Sequence, residues 1–427
     1  MTKLILRGGR RTFKSLRKHR NYRLFFTGQV VSVSGTWMQN VAMYWFVLTL
    51  THDPLAVGIL SLCRFGPFTL FGLLAGVIAD RFDNRRTVIG TQAVQMALSA
   101  VLAVDALTGH ATEWHVYAIA ALTGTALVLD APARQSLTFQ MVGRAELPNA
   151  VALNSSLFNI ARVAGPALGG VVIAAVGVGW CFAANAVSFL AVLASLLMMR
   201  VSELFPVARR GRPTLVKGIR EGIGYARRSR GVVVILGMMV VFASLCFNFN
   251  ILLPILAKQT LDAGPRAFGF LSAAFGCGAL VGALASAAMG RASWRTMFAG
   301  AIGFALCELA IAPIHDLALD GALLFVCGVF FTSYTANSST RIQLDTPDHL
   351  RGRVLSLYYY AWNGLAPLGG VIIGWLCAAG GTGLAFTVAG AAGLVMAALG
   401  AVALRRPARI HPAEEQTAEP GEQLAAA

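Results

Sequence analysis

Charge is scarce in this chain. Asp, Glu, Lys and Arg make up 13% of the 427 residues, about half the share usual for a soluble globular protein. Acids are scarcer still, 19 against 35 Lys and Arg, for a formal net charge of +16. Such a balance can mark a nucleic-acid binder. Here the basic residues alternate with apolar segments and form no stripe among aromatics, so no nucleic-acid partner is expected. Seven histidines offer no pair at metal-ligand spacing, and His110 and His115 merely flank one short connection. The seven cysteines (Cys63, Cys181, Cys246, Cys277, Cys307, Cys327 and Cys377) sit in or beside apolar stretches and make no C-x-x-C pair. They read as small hydrophobes, not redox or metal ligands. There is no Walker loop to bind ATP and no G-x-S-x-G elbow to hold a nucleophile. No enzyme, cofactor or metal is therefore expected.

What is present is apolar length. Hydrophobic residues reach 56% and mean hydropathy is +0.67. About 20 apolar residues cross the hydrocarbon core of a bilayer, and runs of that length recur. The predicted spans are 22–50, 55–79, 86–108, 114–134, 150–176, 180–199, 231–257, 267–289, 296–314, 318–340, 354–379 and 382–404. The expected class is all-α and integral to the membrane, with twelve helices. Residues 1–23 carry nine Lys or Arg and no acid. The following apolar run is too long for a signal peptide and has no small-residue cleavage site.

The connections divide by charge. Those near 80–86, 141–149, 200–230, 290–295 and 341–353 hold nearly all loop Arg and Lys, as do both ends. The alternate ones carry only Lys258 and Arg266. Under the positive-inside rule this places both termini in the cytoplasm of a multi-pass protein of the inner (plasma) membrane. Five segments are predicted: a basic N-terminus (1–21), a six-helix half (22–199), a basic linker (200–230), a second half (231–404) and a disordered tail (405–427). Within the linker, Leu215, Ile219 and Ile223 repeat every four residues, as in an amphipathic helix lying on the inner membrane surface. The halves echo each other. Pro54 to Ser61 parallels Pro265 to Ser272, and Gly165 to Gly170 parallels Ala366 to Gly370.

Between spans 2 and 3 stands Gly76-Val-Ile-Ala-Asp80-Arg81-Phe-Asp-Asn-Arg85-Arg86, with five charges in the last seven positions. Its pattern resembles the loop 2–3 signature of the major facilitator superfamily, with Asp83 where Gly is usual. The span count, central linker and parallel repeats fit the plan of that superfamily. Topology alone would explain the arginines. The resemblance implies a gating role as well, with Asp80 set against the N-terminal end of span 11 near Arg353, and Arg81 or Arg85 against Asp130. Within the superfamily the chain resembles the bacterial exporter branch of macrolide efflux proteins and enterobactin-type siderophore exporters. The residues that carry this are Asp130-Ala-Pro-Ala-Arg134-Gln, Val142 to Ala150, Ala152 to Ser156 and Arg162 to Gly170. Gly165-Pro166-Ala-Leu-Gly169-Gly170 is similar to the antiporter motif of span 5. Read as residues alone, its glycines permit close helix approach and its proline favours a bend.

Charges inside spans are expensive and usually face a cavity or partner. Asp130 and Arg134 are one helical turn apart and can pair. Arg64, Arg162 and Glu308 are candidates for substrate or coupling roles, against packing or snorkelling. Gln39 and Asn40 belong to a polar face of span 1 with Gln29, Ser32 and Thr36. Asn248 and Asn250 lie in span 7, Tyr358 and Trp362 in span 11. The resemblance puts spans 1 and 7 on a central cavity. The expected function is secondary active export of a small organic compound, a siderophore-like metabolite or a drug, by alternating access and proton antiport. An importer or facilitator is the alternative, and a non-transporting membrane sensor a remote one. The expected partners are the substrate, protons and the lipid bilayer. Monomer is the default for the fold.

Overall fold

A computed structural model describes residues 13–79, 82–206, 215–289 and 292–405. Asp80, Arg81, the tract 207–214 and both terminal segments named above, in whole or part, lie outside the described residues. Among the described residues every regular element is helical. In order they are α1 (Lys14–Lys18), α2 (Arg20–Thr51), α3 (Pro54–Ala79), α4 (Asn84–Thr108), α5 (Glu113–Val176), α6 (Val178–Leu197), α7 (Leu215–Arg228) and α8 (Arg230–Val241). After these come α9 (Phe249–Ile255), α10 (Pro265–Met289), α11 (Trp294–Ile311), α12 (Leu317–Asp345) and α13 (Asp348–Arg405).

Nine helices among the described residues are long and apolar enough to cross a membrane. Two of these exceed any bilayer. At 1.5 Å per residue, α5 with 64 residues and α13 with 58 would run roughly 85–95 Å against a core of about 30 Å. Each is broken inside. Gly143 takes φ 69° in α5, and Gly381 takes φ 72° after Gly380 in α13. That left-handed conformation strains any residue with a Cβ, so glycine marks both breaks. α2 is not among the nine, because Gln29, Ser32, Ser34, Thr36, Gln39 and Asn40 dilute its apolar character.

Local signals set several boundaries. The Asp83 carboxylate accepts from Arg86 N at 2.8 Å and opens α4. Asp316 does the same for α12 through Leu319 N at 2.8 Å, and Ser293 with Thr296 forms a capping box for α11. Each satisfies amide donors that the first helical turn leaves open.

Helices α2 to α6 pack on one another, as do α8 to α13. The two sets meet chiefly along α3 against α13 and α5 against α10. Glycine makes both seams. A Cβ on Gly170 would stand 2.7 Å from Pro265 O and 2.8 Å from Gly269 Cα; one on Gly58 would stand 2.6 Å from Gly370 O. Helix α7 is tied to the ends of α12 and α13. Tyr225 Oη donates to Asp345 O at 2.6 Å, and Arg353 Nη1 pairs with Glu221 Oε2.

Near the break in α5, Glu146 anchors α1. Lys14 Nζ is 2.9 Å from its carboxylate and Lys18 Nζ 3.7 Å, while Ser15 Oγ donates to Glu146 O at 3.2 Å. The Lys14 hydrogen bond, helped by the neighbouring positive charges, holds the Glu146 carboxyl below its ordinary value of 4.5. A depressed carboxylate stabilises the folded contact above the unfolded pKa and loses that contribution as pH falls through the folded one. Protection of the amides of residues 14–18, corrected for the intrinsic exchange rate and measured against α2, should therefore fall as pH drops below about 4.5. Glu146→Gln should remove that pH dependence. Its persistence in the variant would assign the effect to another group.

Candidate substrate cavity

The two helix sets enclose a cavity of about 700 Å³, within the range of small-molecule sites. Helical periodicity explains its α2 wall. Gln29, Ser32, Thr36 and Asn40 recur at three- and four-residue spacing, so they share a face, and all four line the cavity. Gln39 belongs to the same polar patch but not to the lining. Its Oε1 accepts from Asn185 Nδ2 at 2.6 Å and from Ser99 Oγ, knitting α2 to α6 and α4.

The opposite wall comes from a break in a helix. A continuous span over 231–257 is expected from hydropathy. The chain instead passes from α8 into a π-turn at Phe242–Cys246 and leaves helical geometry at Phe247 and Asn248 before α9. Such bulges recur at functional sites because they re-aim side chains. Phe247, Asn248 and Asn250 all line the cavity there, with Asn248 Nδ2 donating to Ser244 O at 2.9 Å. Trp362 lines it from α13, its ring 5.9 Å from that of Phe247 and 6.0 Å from that of Phe331. Tyr358 is buried away from it, bonded to Ser338 Oγ at 2.8 Å.

Four charged residues line the cavity among the described residues. Asp130 and Arg134 form one unit. Arg134 Nη2 lies 2.6 Å from Asp130 Oδ2 and Nε 2.8 Å from it. Thr91 Oγ1 and Gln92 Nε2 donate to Oδ1 at 2.6 and 3.1 Å. Among the described residues Arg64 and Arg162 have no carboxylate partner. Arg64, 7% exposed, reaches the Met43 thioether at 3.8 Å and lies 5.8 Å from the Phe65 ring centre. Arg162 sits over Phe331 and Trp37, at 5.2 and 5.9 Å. Glu308 is outside the lining, fully buried in α11 beside Cys246 and Cys307.

Gln92, Gln95, Thr123 and Asn159, not singled out from the sequence, also line the cavity. Gln92, Gln95 and Ser99 share a face by spacing alone, a signal available in the sequence. Buried side-chain atoms Gln29 Nε2, Asn40 Oδ1, Gln95 Nε2 and Thr123 Oγ1 have no hydrogen-bond partner among the described residues. Polar atoms left open on a cavity wall are positioned for a ligand or water.

The span 5 glycines divide their roles. Gly165 is pressed on α2, where a Cβ would be 2.4 Å from Trp37 Cβ, while Gly170 faces α10. Gly169 has its nearest neighbour, Met38 O, at 3.4 Å, and Pro166 lines the cavity. In the loop 2–3 cluster, Gly76 lies in α3 near its end and Arg86 is exposed. Arg85 Nε donates to Leu196 O at 2.9 Å, so it ties α4 to α6 and not to Asp130.

Comparison with known proteins agrees with this architecture. The Staphyloferrin A transporter of Staphylococcus aureus is 27% identical over 83% of this chain and 88% of its own. The enterobactin exporter EntS of Salmonella typhi is 26% identical over 80% and 82%. Macrolide efflux protein A of Streptococcus pyogenes is 21% identical over 80% and 86%. In fold, the chain superposes on a crystal structure of a peptide transporter POT with a TM-score of 0.73 at 14% identity, over 90% of this chain and 94% of that one. The transmembrane secretion effector family matches residues 11–426. This multi-pass membrane protein therefore belongs to that family, within the major facilitator superfamily of transporters.

Proposed function

We propose that the chain is a secondary active exporter of a small organic compound, working by alternating access and driven by proton antiport. The carrying observation is the cavity of about 700 Å³ between two helix sets that touch through bare glycine seams. A static bundle has no need of an open polar space there. Counting the breaks at Gly143 and Gly380–Gly381 and adding α2 to the nine apolar helices gives twelve spans, six on each side of α7. The basic connections then place both termini in the cytoplasm of the plasma membrane, and put Gly58, Gly170, Gly269 and Gly370 toward the outer face. This conformation accordingly faces inward. Asp130 on the cavity wall and Glu308 in α11 are the candidate proton carriers, and the Asp80–Arg86 loop the gate. The working unit is a monomer.

The relatives named for enterobactin export and macrolide efflux support two substrate readings, a siderophore-like metabolite or a drug. The deciding experiment profiles small molecules in medium and cytoplasm of a deletion strain and its parent under iron limitation. A chelator lost outside and built up inside identifies siderophore export. Retention of dyes or macrolides by the mutant identifies drug efflux. No change in either pool would sink the export reading. An uncoupler should stop export, and Asp80→Asn should reduce it strongly while membrane insertion is unchanged. Export that continues without a proton gradient would remove antiport.

A further inference from the structure

The charge of the cavity wall is unbalanced. Asp130 and Arg134 cancel through direct contact, so Arg64 and Arg162 remain in excess on the described wall. A guanidinium does not deprotonate in proteins, and a buried charge without a counter-charge is costly. Arg64 has nine-tenths of its surface buried, with the Met43 thioether, the Phe65 ring and the Tyr44 phenol near it and no carboxylate among the described residues. Arg162 is offered only ring faces, one from each helix set: Trp37 on α2 and Phe331 on α12. Cation–π contact offsets part of such a cost, but among the described residues it leaves the planar donors of Arg162, and those of Arg64 beyond the one on Met43, without a hydrogen-bond partner. Those donors fit oxyanions in a paired geometry.

Spacing adds a second constraint. Arg162 is anchored at Trp37 and Arg64 at Met43, six positions further along α2. At 1.5 Å per residue these anchors are about 9 Å apart along the helix axis. The rest of the cavity wall includes aromatic and amide side chains: Phe247, Phe331 and Trp362 with Asn40 and Asn248.

We infer that the substrate is an amphipathic organic anion with at least two carboxylate-like oxyanion groups, one received by Arg64, the other by Arg162, its apolar body lying against the rings. This rests on the transport reading above and narrows it: a cationic drug is the wrong substrate for this wall.

The test uses the purified full-length protein and two dyes on one xanthene core, carboxyfluorescein (a polyanion) and tetramethylrhodamine methyl ester (a cation), with binding read by fluorescence anisotropy. Carboxyfluorescein should bind at least tenfold more tightly. Arg64→Gln and Arg162→Gln should each weaken it about tenfold, as expected for a lost hydrogen bond to a charged group, and Arg→Lys at each site should restore part of the loss. Preference for the cation, binding of neither dye, or an anion preference unchanged in the double Gln variant would each overturn the inference. The first and second of these need no variant to fold. Uptake of the same dyes into protein-containing vesicles separates the two claims. Arginine-dependent anion binding without transport under any imposed gradient keeps the substrate class and refutes the transporter. Transport of the cation does the reverse.

Discussion

Asp130→Ala is expected to destabilise the fold by about 3–5 kcal/mol, the usual consequence of removing one partner of a buried ion pair. Asp130 is 2% exposed and takes hydrogen bonds from three side chains on two helices. Its loss removes the side-chain acceptor of Thr91 and Gln92 of α4 and strands the Arg134 charge. Arg134→Ala should do less harm, since the carboxylate keeps its two α4 donors while water entering the cavity can reach the vacated side. Removing both should recover much of the single-variant loss, because no uncompensated charge then remains. Thermal unfolding of the purified protein in detergent, run as a double-variant cycle, measures the coupling directly. Strict additivity would mean that the pair is ornamental and that Asp130 acts only through α4.

That pair also marks how far sequence reasoning carries. Two charges one turn apart on a helix come together by geometry alone, so Asp130 and Arg134 need no tertiary information to meet. Apolar run length and loop charge are likewise local properties, and they position most helices. The break at Gly143 falls where a polar connection interrupts the apolar runs, and that at Gly380–Gly381 where a bare glycine pair does. Periodicity shows that a face is polar but not what it meets. Gln39 and Asn40 are adjacent, yet one is claimed by Asn185 of α6 while the other opens on the cavity. The choice depends on where α6 packs, over a hundred residues away. The departure from helix at Phe247 and Asn248 was invisible for a similar reason. Its residues lie in a continuous apolar run, and what permits the bulge is tertiary packing, with Phe242 and Phe247 set among the rings of Phe304 and Tyr334. Arg85 shows a third kind of gap. Its charge marks the loop, but the partners it finds are backbone carbonyls of α6, which no side-chain pattern announces.

Gly170→Leu is expected to unseat the present conformation without unfolding either helix set. The added Cβ would sit 2.7 Å from Pro265 O and 2.8 Å from Gly269 Cα. Both are backbone atoms, unable to swing aside as a side-chain tip would, so α5 and α10 must move apart. Overpacking of this kind typically costs about 1–3 kcal/mol. Because the contact belongs to the seam and not to the interior of one set, that energy falls on the conformational equilibrium, a shift of about 5–150-fold. Under the proposed topology the population moves away from outer closure. Ser272 lines the cavity just inside that seam. In a Cys277→Ser background, a cysteine placed there by Ser272→Cys should react faster with an impermeant maleimide applied from outside, and transport should fall by a similar factor. Two neighbours sharpen the comparison. Gly169→Ala meets nothing nearer than Met38 O at 3.4 Å, with Met38 Cγ and Val41 Cγ1 at 3.5 and 3.6 Å, ordinary contacts, and should transport nearly as well as the parent. Gly165→Leu meets Trp37 Cβ at 2.4 Å within the same helix set, so it should lower the unfolding temperature without opening the outer face. Unchanged labelling and transport in Gly170→Leu would show that the seam is not where the two halves part. The rocking surface would then have to be sought along α3 and α13, where Gly374 holds Pro54 O and Gly58 in the matching way.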